Sequence, residues 1–331
     1  MKILYAIQGT GNGHLSRAID IIPELKRHGE LDIFVSGAQA EVQLPYPIKY
    51  KSKGLSFYFG KSGGINFYKT FKNNSSHEVI KEINSFPVEK YDLVVNDFEP
   101  ISAWAARKKG VNCIALSHQS ALLPKKSPRP KTIDPFGEWL LKNYAPVKKY
   151  VGFHFEEYDK NIYTPVIRSA IRSAQAVDKG HYTVYLPAYD DKKLVALFMK
   201  FPTIKWQIFS KHTKKAYHVG RVSVFPVSGQ DFVESVVTGA GVLTGAGFET
   251  PAEVLFLNKK LLVVPMKSQY EQHCNAASLK KLGVSVLKKI KKKSLTKLGR
   301  WIEEAKPLNV TFPDVASIAV DRAIERSKAK S

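Results

Sequence analysis

Residues 2–14 read KILYAIQGTGNGH, and this stretch decides the fold class. An apolar run of strand length passes directly into a cluster of glycines. Beyond the glycines, apolar residues recur at helical spacing, namely Leu15, Ala18, Ile19, Ile22 and Leu25. A buried strand, a glycine turn and a helix begin a βαβ unit, so we predict a parallel sheet with crossover helices.

The same alternation of strands and helices continues along the chain in two cycles. We therefore predict an α/β protein with two Rossmann-like, doubly wound domains, residues 1–178 and 179–310. Residues 311–331 are expected to form a helix that packs back on the first domain. Domains of this kind usually hold a ligand in a cleft, at the carboxyl ends of their strands. Residues 120–150 interrupt the alternation, and the Pro-rich basic stretch at 125–131 predicts a loop.

Composition excludes several classes of protein. The chain has 331 residues, and its two cysteines are too few for a disulfide scaffold. No apolar run reaches the ~18 residues of a membrane span, and residues 1–7 are too short for a signal peptide. These features predict a cytoplasmic protein that is peripheral at most to the inner face of the membrane.

The charge balance predicts an anionic partner. Fifty-one Lys and Arg against 29 Asp and Glu give a net charge of +22. Such an excess attracts nucleic acid, anionic lipid or a phosphorylated substrate, although it can also serve solubility alone. Residues 280–300 contain nine basic residues and no acidic one. No helix-turn-helix, zinc-ligand or RNA-recognition signature occurs, which makes a nucleic-acid partner the less favoured interpretation.

The first candidate site is the turn that contains Gly9, Gly11, Gly13 and His14. Glycines let a ligand approach the backbone, and the helix that follows offers its free amides to an anion. The spacing G-x-G-x-G differs from the dinucleotide fingerprint G-x-G-x-x-G. The acidic residue that would hold a ribose is also missing, because residues 34–37 read FVSG. Both differences argue against NAD, while a plain strand-to-helix turn stays possible.

Three polar residues are catalytic candidates near this edge of the predicted sheet. His14 could take a proton from a hydroxyl group, and Asp97, at the end of a strand, could orient it. Asp97 could equally be the N-cap of the next helix. His118 ends the following strand and is the second candidate for a general base.

The second candidate site begins at residues 245–253, which read GAGFETPAE. A glycine turn that precedes a helix with Pro in its first turn is again a potential anion site. Glu253 also fits a capping box with Thr250. Residues 265–276, PMKSQYEQHCNA, would by themselves pass as an exposed helix start.

Taken in order, GTGNGH, GFETPAE and PMKSQYEQHCNA resemble motifs of the family 28 nucleotide-sugar glycosyltransferases. That family includes the cell-wall lipid-intermediate N-acetylglucosaminyltransferase and the diacylglycerol glycosyltransferases. The resemblance spans most of the chain and implies the GT-B fold, in which two Rossmann-like domains face each other across a cleft. The second domain would hold the nucleotide sugar, and the first would hold the acceptor.

The resemblance also implies roles for individual residues. Gly245 and Gly247 would lie at the diphosphate, with Phe248 at the exit of the loop. Glu253 would bind the ribose hydroxyls, and Glu271 and Gln272 the hydroxyls of the donor sugar. Phe225 resembles part of the segment that faces the base, and Gly11, Gly13 and His14 match the glycine loop at the reaction centre.

Two departures bear on these roles. The cell-wall enzyme has a Glu where this chain has Ser117-His118-Gln119, so its acceptor chemistry does not carry over directly. The segment Leu186–Tyr189 lacks the glycines that some relatives use for phosphate contact.

The resemblance and the residues together predict inverting transfer of a sugar from a nucleotide-diphosphate donor, with UDP favoured, to a hydroxyl acceptor. No D-x-D sequence occurs, so we expect no metal and no cofactor beyond the co-substrate. Aromatic residues and lysines alternate within residues 57–72, which favours a lipid or lipid-phosphate acceptor at an anionic membrane surface. The alternatives are a nucleotide-sugar epimerase, which needs no acceptor, and a basic nucleic-acid-binding protein.

Overall fold

The computed structural model describes residues 1–37, 43–54 and 76–329. They form two compact units. The first comprises the described residues up to Arg168 together with those from Phe312 onward, and the second runs from Ser169 to Thr311. The segment of residues 57–72, on which the lipid-acceptor hypothesis drew, lies outside the described residues.

The first unit is built on a parallel sheet of seven described strands. They are β1 Lys2–Gln8, β2 Glu30–Ser36, β3 Tyr50–Ser52, β4 Leu93–Asp97, β5 Cys113–Ser117, β6 Lys149–Phe153 and β7 Ile162–Tyr163. Their spatial order is β3-β2-β1-β4-β5-β6-β7, and all neighbouring pairs are parallel. The order reverses between β1 and β4, so the carboxyl ends of these two strands mark the switch point where such sheets bind ligands.

The described α-helices of this unit before Arg168 are α1 Asn12–Lys26, α2 Ser76–Ser85, α3 Pro100–Lys109 and α4 Pro135–Asn143. α4 lies within residues 120–150, where the sequence had suggested only a break in the pattern. The Asp134 side chain caps it by accepting a hydrogen bond from Phe136 N (3.1 Å), and Pro135 occupies the first turn. Residues 125–131 are a loop in the structure, as predicted.

The second unit repeats the architecture. Its seven described strands are β8 His181–Tyr185, β9 Lys205–Ser210, β10 Tyr217–Val219, β11 Val222–Pro226, β12 Gly241–Thr244, β13 Lys260–Val263 and β14 Ser285–Val286. Their order is β10-β11-β9-β8-β12-β13-β14, and only the β10–β11 pair is antiparallel. The switch point lies between β8 and β12.

The helices of the second unit are α5 Ser169–Arg172, α6 Asp191–Phe198, α7 Gly229–Thr238, α8 Glu249–Phe256, α9 Tyr270–Lys281 and α10 Leu295–Glu304. The last helix of the chain, α11 Ala316–Lys328, packs against α1, β5 and β6 of the first unit.

The second unit begins before residue 179, where the sequence pattern had suggested a boundary. Val177 N donates to Val237 O (3.1 Å), and Lys179 N donates to Thr238 O (2.8 Å). These bonds attach the connecting segment to the end of α7. Residues 177–179 thus contact a helix of the second unit that lies far along the chain.

Each core follows from the apolar pattern of the strands. Residues 3–7 of β1 are fully buried, as expected for a central parallel strand. In the second unit Trp206 of β9 stacks on Phe198 of α6 with ring centroids 4.3 Å apart, and Trp301 of α10 packs into the same cluster. The α/β class with parallel sheets is confirmed. No helix among the described residues is long and apolar enough to cross a membrane.

Candidate active site

The glycine turn after β1 lies at the switch point of the first unit. A Cβ on Gly9 would lie 2.9 Å from Val35 Cγ1, so β2 leaves no room for a side chain there. Gly11 is the N-cap of α1, with φ of 100°, a conformation that favours glycine. No side chain caps this helix, and Gly13 and His14 fall in its first turn. The amides of that turn are therefore not occupied by a capping side chain.

His14, Asp97 and Arg17 form a buried cluster at the same edge. His14 Nδ1 lies 2.8 Å from Asp97 Oδ1. Arg17 Nη2 donates to both oxygens of this carboxylate, at 2.7 and 2.8 Å, and Tyr5 Oη lies 3.4 Å from Oδ2. β4 supplies the carboxylate, and α1 supplies its two partners, His14 and Arg17, one turn apart.

Asp97 is held in its charged form. Burial would raise the pKa of this carboxyl group, but the charges of Arg17 and His14 and their hydrogen bonds outweigh burial and lower the pKa. The sequence had left open that Asp97 is an N-cap, and this alternative is wrong. Glu99 is the N-cap of α3, where its carboxylate accepts from Ile101 N (2.8 Å) and Ser102 N (2.6 Å).

Asp97 also fixes the tautomer of His14. Since an ionised carboxylate can only accept, Nδ1 of the imidazole carries the proton, and in the neutral ring the lone pair is on Nε2. Gln119 Nε2 lies 3.4 Å from this Nε2. The His14 side chain is 14% exposed, whereas Asp97 is fully buried. A ring with an oriented, partly accessible Nε2 is suited to accept a proton from a hydroxyl group.

His118 follows β5 but lies in the interior of the first unit. It is 1% exposed, and its Nδ1 lies 2.8 Å from the carbonyl oxygen of Phe153. Its ring packs edge-on against that of His154, with centroids 5.2 Å apart. Burial, followed by the neighbouring charges of His118 and Arg129, lowers the pKa of His154 well below its ordinary value. The structure therefore does not bring His118 into the His14–Asp97 cluster.

The second glycine loop, residues 245–247, follows β12 at the switch point of the second unit. Gly245 N donates to Tyr185 O at the end of β8 (3.3 Å). Neither Gly245 nor Gly247 has a positive φ, and a Cβ on Gly247 would meet no atom within 4 Å. A Cβ on Gly245 would meet only the Gln272 carboxamide, at 3.5 Å. The space above the loop is therefore open.

α8 begins directly after this loop. Its N-cap is Phe248, and no side chain caps the helix. The capping box suggested by Thr250 and Glu253 is not formed, because the helix already begins at Glu249 and Thr250 lies inside its first turn. Uncapped amides, the positive end of the helix and an open glycine loop are features that suit an anion.

Two side chains of α9 form hydrogen bonds with the backbone of the glycine loop. Gln272 Oε1 accepts from Ala246 N (3.2 Å) and from Met266 N (3.0 Å). Asn275, which is fully buried, donates to Ala246 O (3.2 Å). The carboxamide of Gln272, to which the resemblance assigns the donor sugar, is thus bonded to the backbone of the loop in this structure.

The other residues implied for donor binding lie on α8, α9 and β11. Glu253 lies on α8 and is 4% exposed, and Glu271 lies in the first turn of α9. Phe225, near the end of β11, stacks on Phe209 with centroids 5.5 Å apart. Rings of Phe232 and Tyr185 continue this aromatic row towards β8.

Sequence reasoning missed Arg17 and Asn275 as parts of these sites. Arg17 follows His14 by three residues, a spacing that places both on one helix face. Asn275 was quoted within PMKSQYEQHCNA but was given no role. Within the described parts of the chain, no group of three or more His, Cys, Asp or Glu residues could hold a metal ion.

Two Rossmann-like units with a glycine turn at each switch point fit the GT-B class of glycosyltransferases, and the comparisons with known proteins agree. The model of a family described as Glycosyl transferase family 1 matches residues 1–304, so the chain belongs to this family. The resemblance to GT-B glycosyltransferases is thereby confirmed, and the protein is a glycosyltransferase.

Solved structures of similar fold come from bacteria and plants. MurG of Acinetobacter baumannii is 15% identical, with a TM-score of 0.60, and the match covers 98% of this chain and 99% of MurG. A UDP-glucosyltransferase from Polygonum tinctorium that glucosylates indoxyl is 14% identical, with a TM-score of 0.63 and 99% coverage of both chains. Arabidopsis thaliana UGT89C1, solved with UDP-L-rhamnose, is 13% identical, with a TM-score of 0.59 and coverage of 99% and 95%. No curated protein matches the sequence.

Proposed function

We propose that this glycosyltransferase moves a sugar from a nucleoside-diphosphate sugar to a hydroxyl acceptor, with inversion at the anomeric carbon. The favoured donor is a UDP-sugar. The observation that carries the proposal is the open glycine loop at residues 245–247, which leads into the uncapped N-terminus of α8. Diphosphate is the anion that such a loop suits, because backbone amides and the helix dipole stabilise its negative charge.

His14 is the proposed general base. In the reaction, the proton of the acceptor hydroxyl passes to Nε2 of His14 while the acceptor oxygen forms a bond to the anomeric carbon. The bond from that carbon to the diphosphate oxygen breaks, and the diphosphate leaves with the electron pair. Asp97 stabilises the imidazolium that forms, and its buried pairing with Arg17 keeps it ionised. His118 is less suited to this role, because it is buried.

The donor roles rest on the carried-over motifs and on their position. Glu253 is proposed to bind the ribose, Glu271 and Gln272 the sugar, and Phe225 the base. UDP is favoured because two enzymes of similar fold are described with UDP: one is a UDP-glucosyltransferase, and the other was solved with UDP-L-rhamnose. We propose that no metal is needed, since amides and the helix dipole stabilise the leaving group.

A lipid or lipid-phosphate acceptor at an anionic membrane surface is the proposed acceptor class. α4 exposes Phe136 and Trp139, at 44% and 56%, with ring centroids 5.9 Å apart. Ile133 is also exposed beside them, and Lys131 precedes it in the chain. Aromatic rings at the headgroup level and lysines on anionic lipid are typical of peripheral binding, which would place a cytoplasmic enzyme at the membrane.

The test is acceptor-dependent release of nucleoside diphosphate. Purified protein is incubated with a UDP-hexose panel, with and without a total lipid extract and with and without EDTA. We expect UDP release that increases with lipid and is unchanged by EDTA. Conversion of one UDP-sugar into another without UDP release would instead show an epimerase. EDTA-sensitive release restored by one divalent ion would contradict the metal-free mechanism.

A further inference from the structure

A cavity of ≈ 760 Å³ lies in the second unit, apart from the residues assigned above to the donor. Seven lysines line it, and Asp190 is the only acidic residue among its lining residues. Lys193 and Lys200 lie on α6 or just after it, Lys267 follows β13, and the remaining four lie within residues 288–292. We call this cavity the lysine pocket.

Asp190 is the one acidic lining residue opposite seven lysines, so the lining carries an excess of positive charge. Among the described residues, none of the seven lysines takes part in an ion pair. Bringing like charges together raises the electrostatic energy of the folded state. A lysine-rich face that served only solubility would gain nothing from being concave. The arrangement favours an anion inside the pocket.

The lysine-bearing segment after β14 is held in place. Ile290 is buried in the core of the unit, and its N–H donates to Tyr189 Oη (3.1 Å). Ser294 N donates to Lys291 O (2.7 Å), and Ser294 Oγ donates to Lys289 O (2.9 Å). The lysine-rich segment of residues 288–292 is therefore held by the buried side chain of Ile290 and by hydrogen bonds to its backbone.

The lining also has an apolar part. Leu194, Leu197 and Leu295 contribute to it, together with Ile290 and Ala188. A volume of several hundred Å³ with apolar walls and a few charged groups is typical of small-molecule sites. An inorganic ion would leave these apolar walls exposed to water, whereas a ligand with a hydrocarbon part would cover them.

We propose that the lysine pocket binds a phosphate ester that carries an apolar group. Its ligand belongs to the same chemical class as the proposed lipid-phosphate acceptor. The proposal concerns other residues and is tested by binding alone, so it can fail while the proposed function stands. The two regions are nevertheless neighbours, since Met266 lines the pocket while its N–H donates to the same Gln272 oxygen that fastens Ala246.

The test is a calorimetric titration of the full chain with monomeric dihexanoyl phosphatidic acid at low ionic strength. The pocket variant is Lys288→Gln/Lys289→Gln/Lys292→Gln. The matched control, Lys293→Gln/Lys297→Gln/Lys306→Gln, removes three exposed charges from the same region but none from the pocket lining. We expect the pocket variant to lose at least about tenfold in affinity and the control less than about twofold.

Two further ligands test the two parts of the proposed chemistry. Dihexanoyl phosphatidylcholine keeps the chains without net charge, and glycerol 3-phosphate keeps the phosphate ester without chains. Both should bind more weakly than the phosphatidic acid. The proposal is overturned if either ligand binds as tightly as phosphatidic acid, or if the wild-type protein does not bind phosphatidic acid. It is also overturned if the two triple variants lose the same affinity.

A second variant and a vesicle assay complete the design. Lys193→Gln/Lys200→Gln alters a different wall and should also weaken binding, while Glu253→Gln should not.

Sedimentation with phosphatidic-acid vesicles distinguishes the source of the ligand. Vesicle binding lost only in the pocket variants indicates a membrane lipid, whereas unchanged vesicle binding with weakened monomer binding indicates a soluble ester. Unfolding temperatures of all variants verify that they are folded.

Discussion

At the scale of single residues, the orientation of His14 depends on two buried partners. Asp97 fixes which ring nitrogen carries the proton, and Arg17 keeps Asp97 ionised despite its burial. Phe98, next to Asp97, has a φ of 57°, a strained conformation for a residue with a side chain. The neighbouring N-cap, Glu99, bonds the backbone on the other side of this strained residue. The hydrogen bonds of Asp97 itself go to His14 and Arg17, which place its carboxylate beside the imidazole.

Removing the imidazole should separate catalysis from binding. We predict that His14→Ala lowers kcat by about 10²–10⁴-fold, while donor affinity stays within about twofold, because a general base acts in the transition state. The measurement is steady-state UDP release together with calorimetric titration of UDP.

Two other histidines serve as controls for this prediction. His118→Ala should mainly lower the free energy of unfolding, because it opens a cavity in the core. His77 is exposed on α2, so His77→Ala should change neither kcat nor the free energy of unfolding. A folded His118→Ala protein that loses turnover while His14→Ala keeps it would reverse the assignment.

The sequence was sufficient to place His14 and Asp97 at one sheet edge, because parallel strands end together. It could not show that His118 is turned inward or that Glu99 rather than Asp97 caps α3. Both outcomes depend on which side chains the folded core accommodates. Arg17 carried a local signal, its spacing from His14, but its partner lies 80 residues away in sequence.

At the scale of secondary-structure elements, α9 holds the glycine loop that precedes α8. The Gln272 carboxamide accepts from the backbone of both the loop and the segment after β13. This contact makes a loop-positioning role for Gln272 an alternative to direct contact with the donor sugar. The two roles predict different effects of a Gln272 substitution on the affinity for UDP, which lacks the sugar.

The variant Gln272→Leu separates these roles. A positioning residue should weaken binding of UDP and UDP-sugar alike, and the free energy of unfolding should fall by about 1–3 kcal/mol, because two backbone donors lose their partner. Calorimetric titration with both ligands gives the comparison, and Gln230→Leu on the exposed surface of α7 is the matched control. Weakened binding of UDP-sugar with unchanged UDP binding would instead indicate sugar contact.

Most elements were predictable from apolar periodicity, but the shortest ones were not. β3, β10 and β14 have only two or three residues, too few to show alternation, and they form because a neighbouring strand presents a free edge. α4 was missed although Asp134 and Pro135 form an ordinary helix start, because the surrounding basic and proline residues dominated the pattern.

At the scale of the whole molecule, the two units share one strand order around their switch points, and both switch points carry a glycine turn. This repetition was predictable, since it follows from alternation and from the position of the glycines. The lysine pocket was not predictable, because its lysines come from three separate segments of the chain. The net charge of +22 indicated an anionic partner without indicating where it binds.

The second unit is proposed to bind a nucleoside diphosphate through the glycine loop and Glu253. The most direct measurement is calorimetric titration of the full chain with UDP, GDP, dTDP and NAD. Glu253→Gln is the test variant, and Glu303→Gln, exposed on α10, is its control. We predict that one nucleoside diphosphate binds, with a Kd raised at least about tenfold by Glu253→Gln and unchanged by the control. Binding of NAD alone, or of no nucleoside diphosphate, would contradict the account.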